Sequence, residues 1–262
     1  MIDIHTHILP GLDDGAQDIY DTISMAALAW ENGTTAIVAT PHCNIPGVYG
    51  NYFGEAYQQA FETAKEAIAR EKIPIKLYPG MEVFTTWDLP KMLEEGRIMT
   101  LNQTRYVLME FDFGEDPEFA DEILAEVKGT GGIPVIAHAE RFEFVQEDPE
   151  MVGQWLEKGY AVQVNKGSFR GRFGSRARRT AYQLLNHNMI SAIASDAHSP
   201  ERRTTCMADV YRELLGEYPK EYLDVLFTEN PDRICRGEGI IRFRRIPFGI
   251  PNGSPFGEEK QE

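Results

Sequence analysis

Two histidines two residues apart, His5-Thr6-His7, close the apolar stub Met1-Ile2-Asp3-Ile4. Side chains at i and i+2 of a strand leave the same face, so both imidazoles can reach one cation. The pattern recurs. Ala36-Ile37-Val38-Ala39 runs out near His42, Ile75-Lys76-Leu77-Tyr78 near Glu82, and Tyr106-Val107-Leu108-Met109 at Glu110. Val135-Ile136-Ala137 ends at His138, and Ala192-Ile193-Ala194 near Asp196 and His198. Five of the six histidines therefore stand at the ends of short apolar runs. Imidazole and carboxylate together suit divalent ions, and bridging carboxylates hold neighbouring cations close. With Asp14 added, the set is His5, His7, Asp14, His42, Glu82, Glu110, His138, Asp196 and His198. That is too many donors for one ion and suits two or three. Cysteine is absent from the pattern beyond Cys43, which disfavours a structural zinc site.

Taken singly, some of these residues have blander readings. His42 and His138 could be satisfied core histidines, and Glu82 or Glu110 a solvated strand end. Asp14 competes with Asp13 in Leu12-Asp13-Asp14-Gly15, which could be only a turn. Their common position at strand ends gives the set its weight. His187, in Leu185-Asn186-His187-Asn188, reads as a surface residue at a helix end and is left out.

The elements that must carry these residues alternate. Helical patterns are expected over Asp18 to Asn32 (Ile19, Ile23, Ala26, Ala27 and Trp30 on one side), Phe53 to Lys72 and Pro117 to Lys128. Others open at Asp148-Pro149 and run to Gly159, then Ser175 to Asn186 and Glu201 to Leu215. Strand-like runs lie between them, the sixth being Ala161-Val162-Gln163-Val164-Asn165, for seven strands in all. Such alternation predicts βα units around a parallel sheet, and ligands at the strands' carboxyl ends predict an incomplete or distorted TIM-like barrel. An open doubly wound sheet is the competitor. No linker or repeat divides residues 1–262, and 240–262 form a carboxyl-terminal extension expected to pack partly and fray at its end.

The chain has 262 residues, 42% apolar and 26% charged, as a folded globular protein does. A net charge of −15 argues against broad nucleic-acid or anionic-membrane binding. Three widely spaced cysteines make a disulfide framework improbable. No basic segment followed by an apolar stretch opens the chain, and no apolar run approaches the ~20 residues of a membrane span. The expectation is a soluble, cytoplasmic protein.

The chain resembles the polymerase and histidinol phosphatase (PHP) superfamily, and within it the bacterial metal-dependent tyrosine-protein phosphatases of the CpsB/CapC family. The matching pieces are Asp3 to Gly15, Ala39-Thr40-Pro41-His42, Pro79-Gly80-Met81-Glu82, Leu108-Met109-Glu110, Ala137-His138-Ala139-Glu140-Arg141-Phe142 and Ser195-Asp196-Ala197-His198. The resemblance implies a distorted (β/α)7 barrel with three metals, usually manganese, with iron, cobalt, zinc or magnesium as other candidates. It puts one ion on His5, His7, Glu82 and Asp196, a second on Glu82, Glu110 and His138, and a third on Asp14, His42 and His198. Glu82 would bridge. Ala139 stands where the family often has Pro, a departure expected to alter loop shape rather than ligation. The implied substrate is the phosphotyrosine-bearing tail of a bacterial tyrosine autokinase that controls capsule or exopolysaccharide synthesis. Alternatives are a small-molecule phosphatase such as one for histidinol phosphate, and a non-enzymatic metal-loaded regulatory module. A metal-dependent amidohydrolase also shares His-x-His, but generally uses a barrel Lys or extra His where Glu82 stands.

For such a phosphatase, two cations roughly 3.5–4 Å apart would lower the pKa of a shared water and hold the bridging hydroxide in line with phosphorus. Charge on the equatorial oxygens then needs neutralising. Arg141 is the first candidate for bidentate phosphate contact, and Arg203, or failing it Arg202, the second. A tyrosine phenolate, of pKa ~10, would leave with help from a metal or a protonated His198. Cys206 and Arg212 fit the C-x5-R spelling of cysteine-dependent phosphatases. The segment lacks the glycines such a loop needs and reads as a helix on Met207, Val210 and Leu214. Arg170, Arg172, Arg176, Arg178 and Arg179 form a basic cluster, either a solvated helix face or a docking surface for an acidic or phosphorylated tail.

Overall fold

The structure is a computed structural model and describes residues 1–249. Nine strand segments are present among them: β1 (Ile2–Thr6), β2 (Ala36–Ala39), β3 (His42–Cys43), β4 (Lys76–Pro79), β5 (Glu82–Phe84), β6 (Tyr106–Glu110), β7 (Ile133–Ile136), β8 (Ala161–Asn165) and β9 (Ala192–Ala194). All pair in parallel, in the orders β1-β2-β4 and β3-β5-β6-β7-β8-β9. β2 and β3 are one strand broken at Thr40-Pro41, and β4 and β5 one strand broken at Gly80-Met81, which gives the seven positions expected.

Each break has a local cause. Pro41 offers no N–H to a ladder. Gly80 packs so tightly that an added Cβ would lie 2.8 Å from Val38 Cγ1, and its carbonyl accepts the Tyr57 hydroxyl at 3.0 Å. Beyond β9, the chain hydrogen-bonds back to β1, Asp196 N to His5 O and His7 N to Ala197 O, both at 2.9 Å. The sheet is thereby curled into a distorted barrel rather than left open.

Alternate strand residues divide the core. Ile4, Val38, Leu108, Val135, Ala137 and Ala194 fill the barrel interior, whereas Ile37, Val107, Ile136, Val162 and Ile193 pack outward under helices. Each fully buried Val, Leu or Ile among them contributes about 1.5–3 kcal/mol relative to exposure. In β1 the register slips between Asp3 and Thr6. The bulge re-aims the chain, so that His5 and His7 face the interior that Ile2 and Ile4 occupy one layer below.

Two of the expected helices differ from expectation, and helical segments over Leu89–Glu94, Lys220–Asp224 and Asn230–Arg236 lie outside those expected. The helix Ile19–Glu31 is capped by Asp18, whose side chain accepts the Tyr20 and Asp21 amides. It buries Thr22, Met25, Ala26 and Ala29 rather than the Ile23/Trp30 side, and Trp30 is exposed. Thr22 fixes that rotation by donating to the Ile8 carbonyl at 2.8 Å. The helix expected over Glu201 to Leu215 is present only as Ala208–Leu214. Upstream, the amides of His198 and Ser199 both turn to the Arg203 carbonyl, at 2.8 and 3.2 Å, so the backbone is spent on a loop.

Residues 240–249 do pack. Ile241 N donates to Asn230 Oδ1, Arg242 reaches the Leu156 and Tyr160 carbonyls, and Phe248 lies against His187. The expected fraying concerns residues outside those described. No described helix is long and apolar enough to cross a membrane.

Candidate metal centre

The carboxyl ends of the strands bring all nine candidate donors together. Glu82, on β5, sits in the middle and is almost wholly buried. Its Oε2 lies 3.0 Å from His5 Nε2, 3.2 Å from His7 Nε2 and 3.1 Å from His42 Nδ1, and its Oε1 lies 2.8 Å from His138 Nε2. Glu110 ends β6 with Oε1 2.8 Å from His42 Nδ1 and Oε2 3.8 Å from His138 Nε2. Asp196 Oδ1 is 3.6 Å from His5 Nε2 and 3.5 Å from both His7 Nε2 and His198 Nδ1. Asp14 stands at the open side, Oδ1 3.6 Å from His42 Nε2 and 3.4 Å from His198 Nε2.

Three groups have donor atoms mutually within 4.8 Å: His5, His7 and Asp196; His42, Glu82 and Glu110; and His7, Asp14, His42 and His198. His5 Nε2 and His7 Nε2 approach to 3.3 Å, lone pair toward lone pair or proton. Glu82 Oε2 is buried without a hydrogen-bond partner although three imidazole nitrogens lie 3.0–3.2 Å away. A buried carboxylate oxygen that meets several ring nitrogens without hydrogen-bond geometry fits a divalent cation.

The protonation pattern agrees. Burial alone would raise the Glu82 and Asp196 pKa values, yet the imidazoles, His5 first, hold both well below the usual carboxylate range. Burial likewise opposes charge on the rings. The carboxylates nevertheless raise His5 through Glu82, His7 through Asp13, and His42 through Glu82 to about 9. Glu110 is pushed up to about 6 by burial and then by Glu82. His138 is pulled down to about 4 by burial, and His198 is lowered by burial and then by His7. The His138 ring is thus held neutral, the state a ligand needs. The His198 Nε2 contact to it lowers Asp14.

Residues that sequence reasoning passed over hold these rings in place. Asp13 is the buried member of the Asp13-Asp14 pair: its Oδ2 lies 2.7 Å from His7 Nδ1 and accepts the His42 amide at 2.8 Å. Gln163 Oε1 lies 3.0 Å from His5 Nδ1 and accepts the His138 amide at 2.9 Å. Gln163 Nε2 donates to Asn165 Oδ1 at 2.8 Å, and Asn165 donates in turn to Asp196 Oδ2. A partner on Nδ1 fixes the tautomer and turns Nε2 toward the cluster. The signal was present in the sixth strand, where two amides at i and i+2 end a strand with the spacing of His5 and His7.

Two guanidiniums border the cluster. Arg141 stacks between Phe113 (4.4 Å) and Phe173 (4.2 Å), its Nη1 3.5 Å from Asp196 Oδ2. Arg203 donates Nε to the Asp196 carbonyl at 3.1 Å and pairs with Asp196 Oδ2. Arg202 is exposed, with its amide on Ser199 Oγ at 3.0 Å. Arg212 folds back on the Ala208 carbonyl of its own helix, so it faces no Cys206 thiol loop. Within the basic cluster, Arg170 pairs with Asp209 and Glu213, Arg176 with Glu147, and Arg178 Nε donates to the Phe169 carbonyl.

A parallel α/β barrel whose carboxyl-terminal rim gathers imidazoles and carboxylates into adjoining donor sets that could hold metal ions defines the class of α/β-barrel proteins with a candidate metal site at the strands' carboxyl ends. Residues 1–236 match the family described as capsular polysaccharide synthesis, CpsB/CapC. The chain belongs to that family. It is 36% identical over 257 residues to the tyrosine-protein phosphatase YwqE of Bacillus subtilis, covering 98% of this chain and 99% of the relative. A crystal structure of YwqE, described with CpsB of Streptococcus pneumoniae as unique metal-dependent tyrosine phosphatases, superposes with a TM-score of 0.87 over 94% of this chain and 100% of that one. The lactonase Lmo2620 of Listeria monocytogenes shares the fold alone, at 12% identity and a TM-score of 0.60 over 89% of this chain and 93% of the other.

Proposed function

We propose that this protein is a metal-dependent phosphotyrosine-protein phosphatase, with manganese as its metal. Its substrate on this reading is the tail of a bacterial tyrosine autokinase governing capsule or exopolysaccharide synthesis, met in the cytoplasm. The observation that carries the reading is the position of Glu82, 2.8–3.2 Å from nitrogens of four histidines, beside two guanidiniums anchored on Asp196. Membership of the CpsB/CapC family and the similarity to YwqE, a tyrosine-protein phosphatase, support it.

His5, His7, Glu82 and Asp196 would hold one ion, Glu82, Glu110 and His138 a second, and Asp14, His42 and His198 a third. When bound, such ions lower the pKa of a coordinated water and offset phosphoryl charge. The chain supplies the rest. Arg141, locked between two aromatic rings, loses little freedom when its fork meets two phosphate oxygens. Arg203 is held at the same Asp196 carboxylate and adds a second positive group. A phenol of pKa ~10 asks little of an acid, and help from an ion or from His198 would suffice. Residues 1–262 are read as one phosphatase domain, with 240–262 an extension whose first residues pack on it.

Phosphotyrosine peptide, histidinol phosphate and phosphoserine peptide, each offered with Mn²⁺, separate the readings. Preferred turnover of the phosphotyrosine peptide is expected. Preference for histidinol phosphate would move the assignment to a small-molecule phosphatase, and no turnover of any would leave a metal-binding module.

A further inference from the structure

A cavity of about 390 Å³ adjoins the centre, walled in part by Lys166, Arg170, Arg172, Arg202, Arg203 and Phe173. Five of its lining side chains are cationic and one, Asp209, is acidic, in a chain of net charge −15. Asp209 is already engaged by Arg170 at 2.9 Å and Lys166 at 3.4 Å, and Arg203 by Asp196. Arg172 and Arg202 are exposed, and among the described residues neither has an ion-pair partner. Two of the walls are shared with the metal centre. Phe173 carries the Arg141 guanidinium at 4.2 Å, and Arg203 pairs with Asp196.

We propose that this cavity is a second anion subsite, which takes a phosphorylated side chain on the same polypeptide as the phosphotyrosine being hydrolysed. The proposal rests on the phosphatase reading above. Guanidinium forks meet carboxylate and phosphate alike in bidentate fashion, but two unpaired forks match the near −2 charge and three oxygens of a phosphate better than the single charge of one carboxylate. The volume lies within the range of small-ligand pockets, which suits a side chain bearing phosphate rather than a bare ion. On an otherwise acidic surface, the subsite also sets the direction in which an anionic peptide approaches. Binding energy gained there acts on peptides and leaves small aryl phosphates untouched.

The test uses the full chain loaded with Mn²⁺ and three phosphotyrosine peptides that differ at one flanking position. That position holds phosphonomethyl-phenylalanine (a phosphate mimic that cannot be hydrolysed), glutamate or glutamine. The phosphonate peptide is expected to exceed the glutamine peptide in kcat/KM by about tenfold. Arg172→Glu, with Arg172→Ala as the milder variant, removes that advantage and leaves p-nitrophenyl phosphate turnover unchanged. Equal rates for all three peptides, or an advantage that survives both variants, overturns the subsite. Glutamate matching the phosphonate overturns its assignment to phosphate. Failure of the wild-type protein to hydrolyse p-nitrophenyl phosphate would instead bring down the phosphatase reading itself.

Discussion

Replacing Asp13 by Asn tests whether the metal centre is oriented from behind. Asp13 Oδ2 serves two donors, His7 Nδ1 at 2.7 Å and the His42 amide at 2.8 Å, while Oδ1 accepts the Gly15 amide at 2.9 Å. Asparagine keeps the shape but has one acceptor oxygen. Its best pose turns that oxygen to His7 and His42 and sets its NH₂ against the Gly15 N–H. Gly15 cannot retreat, because it already packs against the His7 backbone too closely for a Cβ. One buried donor left unpaired costs about 1–3 kcal/mol, and exchanging a charged for a neutral acceptor at His7 about 1 kcal/mol more. Loss of a group that orients a metal-binding imidazole weakens metal affinity about 10–100-fold, or about 1.4–2.7 kcal/mol, which agrees in size. Free Mn²⁺ measured by its paramagnetic resonance during titration reads the affinity, and thermal unfolding of the metal-free protein reads the fold. Asp14→Asn is the contrast: Asp14 is exposed and caps nothing, so its loss should lower metal affinity and leave the metal-free midpoint nearly unmoved. Asp13→Asn protein that binds Mn²⁺ like the wild type would refute the reasoning, as would equal loss of stability in the two variants.

Other consequences are as direct. His42, raised to about 9 by Glu82 against its burial, keeps its proton at pH 7 and must lose it for an ion to bind. Adding Mn²⁺ to metal-free protein at pH 7 should therefore release protons into a dye-containing weak buffer, and apparent affinity should climb as pH rises toward 9; a flat profile with no release would contradict this. Arg141→Lys keeps the charge but loses the fork, and kcat/KM for p-nitrophenyl phosphate should fall about 10–100-fold; a change within about twofold would mean that Arg141 does not contact phosphate. Cys206→Ser should retain activity while chelation abolishes it, and the opposite pair of results would return the catalytic role to the thiol.

Much of this architecture was readable in the chain because strand ends and ligands coincide. His5 and His7 at i and i+2 already implied a shared face, and the apolar runs ending at Glu110 and His138 implied a common rim. What escaped depended on contacts distant in sequence. Nothing local distinguishes Asp13 from Asp14; only the approach of His7 and the His42 amide buries the first and leaves the second at the opening. The loop before Ala208 carries helix-forming residues, yet the turn that returns Arg203 to Asp196 takes its backbone bonds. Trp30 looked like a core residue by spacing, but the Thr22 bond to Ile8 rotates its helix so that the ring meets water. Gln163 and Asn165 were legible by the same rule as the histidines, since a buried strand rarely spends two side chains on unpaired amides.

Crystals grown with Mn²⁺ and measured at the manganese absorption edge give the most direct test. Anomalous peaks should fall among His5, His7, Asp14, His42, Glu82, Glu110, His138, Asp196 and His198, two or three per chain, with Glu82 between neighbouring peaks. Protein that hydrolyses phosphotyrosine peptide in the same Mn²⁺ solution but shows its peaks elsewhere, or a single peak away from Glu82, would contradict the account.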